Sequence, residues 1–484
     1  MVPSMAAFFF FLILFTLLPS FISPSPITLP LQQHLLPPTS FSSPYQNLNS
    51  LVNSSLTRAH QIKHPANRQS ATSTSSASDF TAKTELSPHS YGGYSTSLSF
   101  GTPPQTLSFV VDTASSFVWF PCTTHYFCEH CVFPSPTSRI PSFIPVLSSS
   151  SKIVGCRNPK CSWIHGRRRR SEQCGNCGYN GGGRRSRYCS QICPPYLILY
   201  GSGTTGGVAL SETLRFRNLT IPNFLIGCSV FSSRQPAGIA GLGRGRSSLA
   251  SQLGLARFSY CLLSHQFDDD SVRSGYLVLD SGSDSGTKTR GMIYTPFVKN
   301  PIVLNKPDYS VYYYLGLRRI SVGGRRVEIP HRHLSPGIDG SGGTIVDSGT
   351  TFTFMSRGVF EPVSRELVAQ MERSNGNYSR SRAAETATGL RPCFRVHGKG
   401  AAAFPELRLH FKGGADMVLP VENYFTYVGS GEVACLAVVT DGMEEGSGGG
   451  PSVILGNFQM QNFRVEYDLA NQRFGFKQQP CSHH

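Results

Sequence analysis

Two separated stretches of the chain share one arrangement of hydrophobic and polar positions. Residues 108–120 read SFVVDTASSFVWF, and residues 343–355 read GTIVDSGTTFTFM. Short hydrophobic runs rich in β-branched and aromatic residues, interrupted by turn residues, are typical of buried strands. We therefore expect a strand, a tight turn and a second strand in each copy, with Asp112 and Asp347 at the two turns.

The N-terminal region has two further patterns. Residues 8–18 read FFFFLILFTLL, which is too short for a membrane span and has the length of the apolar part of a signal peptide. We assign residues 1–24 to a signal peptide. Residues 25–90 are rich in Ser, Pro, Thr and Gln and show no sustained period of 2 or 3.6, which indicates a propeptide or a disordered segment. No other segment is apolar enough for a transmembrane anchor.

Composition favours a secreted, turn-rich β protein. The 484 residues include 48 Gly and 33 Pro, which make long helices unfavourable, and 14 Cys, which favour disulfides formed in an oxidising compartment. Secretion to the extracellular space fits this content, and so does the vacuole. Asn218 and Asn377 each begin an N-x-S/T triplet and are predicted glycosylation sites.

A second pair of segments follows the aspartates in the same order. GIAGL at residues 238–242 and VILGN at residues 453–457 are short apolar strands with a glycine near the end, which allows close backbone approach. The repeat predicts two lobes that face each other across a pseudo-twofold axis, each presenting one carboxylate. We place the lobes at 91–280 and 292–484, with a Gly/Ser-rich linker at 281–291.

These motifs resemble the pepsin family of aspartic endopeptidases, and within it the plant nepenthesin-like branch. The likeness runs from about Tyr91 to Cys481 and includes FGTPPQ at 100–105 and EYDLAN at 466–471. It implies an all-β, bilobal pepsin-like acid protease fold with the active-site cleft between the lobes. It also implies a protein or peptide substrate. We expect the protein to be a monomer.

The resemblance assigns catalysis to Asp112 and Asp347. Two carboxylates a few ångströms apart cannot both ionise cheaply, so they share a proton and titrate as a pair. At acidic pH the ionised aspartate activates a water, and the protonated one donates to the scissile carbonyl. No metal and no cofactor are needed for this hydrolysis.

Neighbouring residues receive supporting roles from the same resemblance. Ser115 and Thr350, the latter next to Gly349, match hydroxyls that bond the outer carboxylate oxygens. Thr113 and Ser348 match the pair that cross-links the two active-site loops.

Two aromatic residues match the movable flap of the family. Tyr200 lies in LILYGSGTTGG, a strand followed by a Gly-rich turn, and matches the tyrosine that closes over substrate. Trp119 matches the tryptophan that hydrogen-bonds this tyrosine. A plain core aromatic is an equal alternative for Trp119.

The first motif departs from the family at Ala114, where glycine is usual. A methyl group here could crowd the water, and a positive φ would add strain. Alternatively, φ is negative and the methyl is tolerated. The departure leaves a second function open, a catalytically weak or inactive binding or inhibitor protein on the same scaffold.

The insertion at 122–193 holds nine cysteines, including two CxxC pairs. Paired CxxC motifs can bind zinc, but behind a signal peptide disulfides are favoured, and at least one of the nine must pair outside the segment or stay free. By resemblance, Cys393 pairs with Cys435 in the second lobe.

The insertion also concentrates the charge of the chain. The whole chain carries a formal net charge of +16, yet residues 156–193 contain nine Lys/Arg and one acidic residue. Three interpretations of this exposed Arg-rich loop stay open: a solvated loop, attraction to an acidic cell-wall polysaccharide or acidic substrate, or a processing site. Nucleic-acid binding lacks a supporting fold or interleaved aromatics.

Overall fold

The structure is a computed structural model of the chain. It describes residues 27–29, 43–64, 80–88, 92–129, 131, 140–174, 191–200, 203–216, 219–234, 237–264, 273–282, 287–304, 306–373, 378–397, 404–428, 432–442 and 449–481.

Most of the described secondary structure is β-strand. The strands up to the linker are β1 Ile27–Leu29, β2 Thr81–Pro88, β3 Tyr94–Phe100, β4 Gln105–Asp112, β5 Trp119–Pro121, β6 Phe127–Glu129, β7 Lys152–Ile153, β8 Tyr196–Tyr200, β9 Gly203–Phe216, β10 Leu219–Ser233, β11 Gly238–Gly241, β12 Arg257–Cys261 and β13 Gly275–Asp280. The later strands are β14 Ile293–Pro296, β15 Tyr313–Leu315, β16 Leu317–Val322, β17 Arg325–Arg326, β18 Thr344–Val346, β19 Thr353–Met355, β20 Tyr378–Arg380, β21 Cys393–Val396, β22 Leu407–Phe411, β23 Ala415–Leu419, β24 Phe425–Val428, β25 Val433–Leu436, β26 Val438–Val439, β27 Val453–Leu455, β28 Phe463–Asp468 and β29 Arg473–Gln478. The helices are α1 Pro44–Lys63, α2 Cys161–Cys174, α3 Leu249–Gln252, α4 His331–Leu334, α5 Arg357–Glu372 and α6 Arg382–Thr388.

One sheet runs through the first lobe and joins it to the second. Its strand order is β14-β29-β28-β12-β13-β2-β3-β4-β11-β5-β10-β9-β7. The β12–β28 pairing is antiparallel and links a strand of the first lobe to one near the end of the chain. Three smaller sheets complete the second lobe, with orders β15-β18-β27-β19-β26, β17-β16-β22-β23 and β20-β21-β25-β24.

The two active-site repeats have the same strand arrangement. β11 lies between β4, with which it is parallel, and β5, with which it is antiparallel. β27 lies in the same way between β18 and β19. The prediction of an all-β, bilobal pepsin-like fold is confirmed.

Three parts of segment 25–90 form regular structure, the first being β1, which pairs with β2. β2 pairs with β13 and β3, and α1 is a helix of 20 residues. These residues are therefore not a structureless linker, and the lack of a period across the whole segment concealed them. The propeptide interpretation of the segment stays a prediction.

Within the described residues, six disulfides join twelve cysteines. The pairs are Cys122–Cys228, Cys128–Cys131, Cys156–Cys174, Cys161–Cys193, Cys261–Cys481 and Cys393–Cys435. The last is the pairing that the resemblance implied, and Cys228 is the partner that the insertion finds outside its own bounds. The CxxC cysteines that the structure describes, Cys128, Cys131 and Cys174, are thus engaged in disulfides, and Cys177 lies outside the described residues.

The expectation of a loop at Arg167–Arg170 is wrong, because these residues lie within α2. The helix is kinked at Gly166, where φ is 72°. The remaining Arg-rich residues 184–187, the predicted signal peptide at 1–24 and the glycosylation sites Asn218 and Asn377 lie outside the described residues. Among the helices that the structure describes, none has the length and apolar character required to cross a membrane.

Candidate active site

The two central aspartates stand at the ends of matching strands. Asp112 ends β4, and its carbonyl oxygen accepts a hydrogen bond of 2.7 Å from the Leu242 amide. Asp347 follows β18, and its amide donates to the Leu455 carbonyl at 2.9 Å. Both aspartates are buried, with 3% and 0% exposure. The apolar strands thus hold two carboxylates in the interior, as the repeat predicted.

Reciprocal hydrogen bonds fasten the two loops together. The amide of Thr113 donates to Oγ of Ser348 at 3.2 Å, and the amide of Ser348 donates to Oγ1 of Thr113 at 3.0 Å. Each hydroxyl also donates across the interface, to the Val346 carbonyl at 3.4 Å and to the Val111 carbonyl at 2.8 Å. These cross-links fix the two carboxylates relative to each other, which acid–base geometry requires.

The outer contacts of the two carboxylates differ. Oγ1 of Thr350 donates to Oδ2 of Asp347 at 2.6 Å, and the Gly349 amide donates to Oδ1 at 2.9 Å. The Ala114 amide donates to Oδ1 of Asp112 at 3.0 Å. A Ser115 side-chain hydrogen bond acts to lower the pKa of Asp112, as the Thr350 hydroxyl does for Asp347.

Arg58 of α1 is the functional residue that the sequence interpretation missed. Its Nη2 donates to Oδ1 of Asp112 at 2.6 Å, and its Nε donates to Oδ2 of Asp347 at 3.1 Å. Arg58 is only 8% exposed. A planar guanidinium with several donors suits two carboxylates at once, and here it bridges both predicted catalytic groups.

Burial and Arg58 pull the two aspartate pKa values apart. Burial raises the pKa of Asp112 to about 6, against the attraction of Arg58 and with the help of the Asp347 charge. Burial also acts to raise the pKa of Asp347, but Arg58, Thr350 and the Gly349 amide outweigh it and hold that pKa below its usual range. A shared proton is therefore favoured on Asp112 while Arg58 is in place.

Helix α1 is seated in the cleft by an apolar face. The buried side chains on this face are Leu48, Leu51, Val52, Ala59 and Ile62. They belong to one hydrophobic cluster with Ala114 of the first lobe and Phe352 of the second. Oγ of Ser55 accepts from the Phe352 amide at 3.1 Å, and Gln61 donates to the Leu199 carbonyl on β8. The helix thus contacts both lobes.

The signal for α1 is present in the sequence over a short window. Ser43 and Gln46 form a capping box, and Pro44 occupies the first turn, both typical of a helix start. The apolar residues then recur at spacings of three and four, the period of an amphipathic helix. A 20-residue window shows this pattern, while the surrounding Ser- and Pro-rich chain hides it.

The flap residues lie on the predicted hairpin. β8 pairs with β9, and Tyr200 lies opposite Gly203. The ring centroids of Trp119 and Tyr200 are 6.4 Å apart. Nε1 of Trp119 is buried and has no hydrogen-bond partner among the residues described. The expected Trp119–Tyr200 hydrogen bond is thus not formed while α1 occupies the cleft, and Trp119 packs as a core aromatic.

Sequence comparisons agree with this geometry. A family profile described as "Xylanase inhibitor N-terminal" matches residues 94–281, and one described as "Xylanase inhibitor C-terminal" matches residues 312–478. A probable aspartyl protease of Arabidopsis thaliana is 33% identical over 431 residues, covering 80% of this chain and 82% of that protein. Aspartic proteinase nepenthesin-1 of Nepenthes gracilis is 32% identical, covering 81% and 78%.

Solved structures support the fold. The structure of edgp aligns with a TM-score of 0.61 at 20% identity and covers 84% of this chain and 96% of that one. Basic 7S globulin from soybean aligns with a TM-score of 0.59 at 18% identity, covering 83% and 97%. At such identities the likeness concerns the fold alone.

Proposed function

Because the chain belongs to the nepenthesin-like branch of the plant aspartic proteases, we propose that it hydrolyses peptide bonds at acidic pH through Asp112 and Asp347. The observation that carries the proposal is the reciprocal Thr113–Ser348 cross-link, which holds the two carboxylates in one buried site.

The chemistry uses one ionised and one protonated carboxylate. The ionised aspartate takes a proton from a water, and the protonated aspartate donates to the scissile carbonyl oxygen as the water attacks. The backbone donors at Ala114 and Gly349 and the hydroxyl of Thr350 keep the carboxylate planes in place. Such orientation lets the proton transfers occur without rearrangement of the site.

The full chain is proposed to be a latent precursor. Arg58 pairs with both carboxylates, so the water and the scissile carbonyl cannot reach them while α1 is docked. Displacement or removal of α1 is therefore the step that precedes catalysis. This proposal assigns segment 25–90 to a propeptide, with Arg58 as its inhibitory group.

Secretion of the protein is supported by its disulfides. Six pairs within the described chain need an oxidising compartment, such as the extracellular space or the vacuole. Glycosylation at Asn218 and Asn377, a monomeric state and attraction of an acidic cell-wall polysaccharide to the Arg-rich insertion stay predictions.

Digestion of a protein substrate tests the proposed activity. After acid activation, the full chain should cleave casein between about pH 3 and 5, and pepstatin should block the cleavage. Asp112→Asn should abolish it, because an amide cannot take up or release the proton. Asp416→Asn is the matched control, since Asp416 lies on β23 in another sheet. Cleavage that resists pepstatin or survives Asp112→Asn would contradict the proposal.

A binding or inhibitor protein is the second candidate. It is favoured by Ala114 in the first motif and by the inhibitor descriptions of the two matching profiles. The same digestion separates the candidates once α1 has been displaced. An absence of pepstatin-sensitive cleavage in a chain that still binds pepstatin would favour the silent scaffold.

A further inference from the structure

The last turn of α1 fills a pocket in the second lobe, away from the paired aspartates. Nζ of Lys63 lies 2.7 Å from Oδ2 of Asp441 and 5.0 Å from the centroid of the Phe354 ring. The side chains of Lys63 and Asp441 are 7% and 19% exposed. An ion pair and a cation–π contact in such a sheltered position form a built site for a cationic side chain.

The same pocket also binds the main chain of α1 at Ile62 and Lys63. Oη of Tyr309 donates to the Lys63 carbonyl at 2.5 Å, and Oη of Tyr312 donates to the Ile62 carbonyl at 3.3 Å. Two successive peptide carbonyls are thus bound by side-chain hydroxyls. A peptide that replaced α1 would find donors for its backbone and an acceptor for one basic side chain.

The pocket adjoins the catalytic loop through the sheet. Phe354 is on β19, the strand that follows the Asp347 loop. Phe354 pairs with Val439 on β26, and Asp441 comes two residues later. The paired strands β19 and β26 therefore hold Phe354 and Asp441, the two walls of the pocket, beside the Asp347 loop.

The surrounding charges favour a cation once Lys63 has left. The Asp308 charge acts on Tyr312, and the Asp339 charge acts on Tyr309. The nearby opposing charge is Lys306, whose Nζ is 3.4 Å from Oη of Tyr309. With Asp441, three carboxylates thus act on this region against the single ammonium group of Lys306 among the described residues, which gives the region an acidic balance once α1 has left.

We propose that Asp441 and Phe354 form a specificity subsite that selects a Lys or Arg side chain in the substrate. The proposal rests on the peptidase function above. Lys63 lies five residues beyond Arg58 on α1, which corresponds to about 7.5 Å along a helix axis. An extended peptide covers that length in two or three residues. The basic side chain is thus placed about two or three positions from the scissile bond.

Peptide cleavage by the full chain carrying Arg58→Ala and Lys63→Ala tests the subsite, because this chain lacks both charged anchors of α1. Each peptide substrate has one scissile bond and one varied position, two or three residues before or after that bond. The varied position carries Lys, Arg, norleucine or Glu. At one of these positions kcat/KM for Lys should exceed that for norleucine by about ten-fold. Asp441→Asn should bring this ratio close to one, and Asp441→Lys should shift the preference to Glu.

Asp416→Asn is the matched control, and it should keep the full Lys-to-norleucine ratio. Equal rates for the two peptides at every position, or an unchanged ratio in Asp441→Asn, would overturn the subsite while leaving the peptidase function intact. If no peptide is cleaved, the peptidase function fails. Fluorescence anisotropy then measures binding of the same peptides to the same chain. The subsite requires that the Lys peptide binds more tightly than the norleucine peptide and that Asp441→Asn removes this difference.

Discussion

At the residue scale, the two active-site loops differ at the position of the usual glycine, where the first loop has Ala114 and the second has Gly349. Gly349 has no room for a methyl group, because a Cβ built there would lie 2.9 Å from Oδ1 and 3.0 Å from Cγ of Asp112. Ala114 occupies the corresponding place in the first loop and is 7% exposed. Its φ is not positive, so the backbone carries no left-handed strain there. Any cost of this methyl therefore comes from its volume beside the catalytic water.

Replacing Ala114 tests that cost. Ala114→Gly should raise kcat/KM by a few-fold, because it frees space for water and substrate without altering the Asp112 hydrogen bond to the backbone amide. The reciprocal change, Gly349→Ala, should lower kcat/KM by about a hundred-fold, since it displaces the carboxylates. Steady-state cleavage of one peptide by the acid-activated chains measures both. An unchanged rate in Ala114→Gly would remove this residue from the account of activity.

The buried aspartate pair could be predicted because its signal in the sequence is local. Asp112 and Asp347 each sit in a short repeated motif, and strand pairing brings the two motifs together. Arg58 could not be found in this way, because its role depends on contacts across 54 and 289 residues of sequence. The missing Trp119 hydrogen bond depends on side-chain placement, which motif matching does not determine.

At the element scale, α1 couples occupancy of the cleft to pH. With the helix docked, the pKa of Asp347 lies below its usual range because of Arg58, Thr350 and the Gly349 amide. The stabilisation from ionised Asp347 is thus present above about pH 4 and is lost as the pH falls through the lowered pKa. Asp112, with its pKa raised to about 6 by burial, contributes most when protonated, and this contribution is lost as the pH rises through 6.

The docked state should therefore be most stable near pH 4 and weaken as the pH rises towards 6, and acid below the lowered pKa of Asp347 should release the helix. Arg58→Ala should extend release of α1 to higher pH, so that without prior acid activation the variant binds pepstatin and cleaves casein at pH 5, where the parent chain treated in the same way stays latent. Hydrogen exchange of the α1 amides measures docking directly, and loss of their protection should accompany activity.

Two control variants separate the Arg58 contact from a general loss of helix. Arg373→Ala removes an exposed arginine of the second lobe that donates to the Ala369 carbonyl of the preceding turn, and should leave latency unchanged. Arg58→Lys keeps the charge without the two-armed geometry and should be intermediate. A parent chain that is equally active at pH 5 would contradict the proposed latency.

The hydrophobic pattern of the chain predicts some of these elements but not where each of them docks. The strands flanking both aspartates follow their apolar runs, and the β8–β9 hairpin forms around the Gly-rich turn. Helix α1 has an equally regular pattern, but its apolar face becomes visible only in a window of its own length. Where it docks was beyond prediction, because that depends on the cleft that both lobes build.

At the scale of the whole molecule, disulfides act over very different spans. Cys261–Cys481 joins β12 of the first lobe to the end of the chain, a separation of 220 residues. Cys128–Cys131 closes a separation of three residues at β6. In the chain-entropy account, a cross-link stabilises by restricting the unfolded state, and the effect grows with the length of the loop. The two bonds should therefore contribute unequally.

Removing each pair measures this difference. Cys261→Ser with Cys481→Ser should lower the free energy of unfolding by about 5 kcal/mol, whereas Cys128→Ser with Cys131→Ser should cost less than about 2 kcal/mol. Denaturant unfolding near pH 7, where the latent chain does not digest itself, gives both values. The first variant should also weaken the β12–β28 junction between the lobes, so its active-site cleft should lose pepstatin affinity before the cores unfold. Equal losses for the two pairs would show that local packing, not restriction of the unfolded chain, sets the contribution of these bonds.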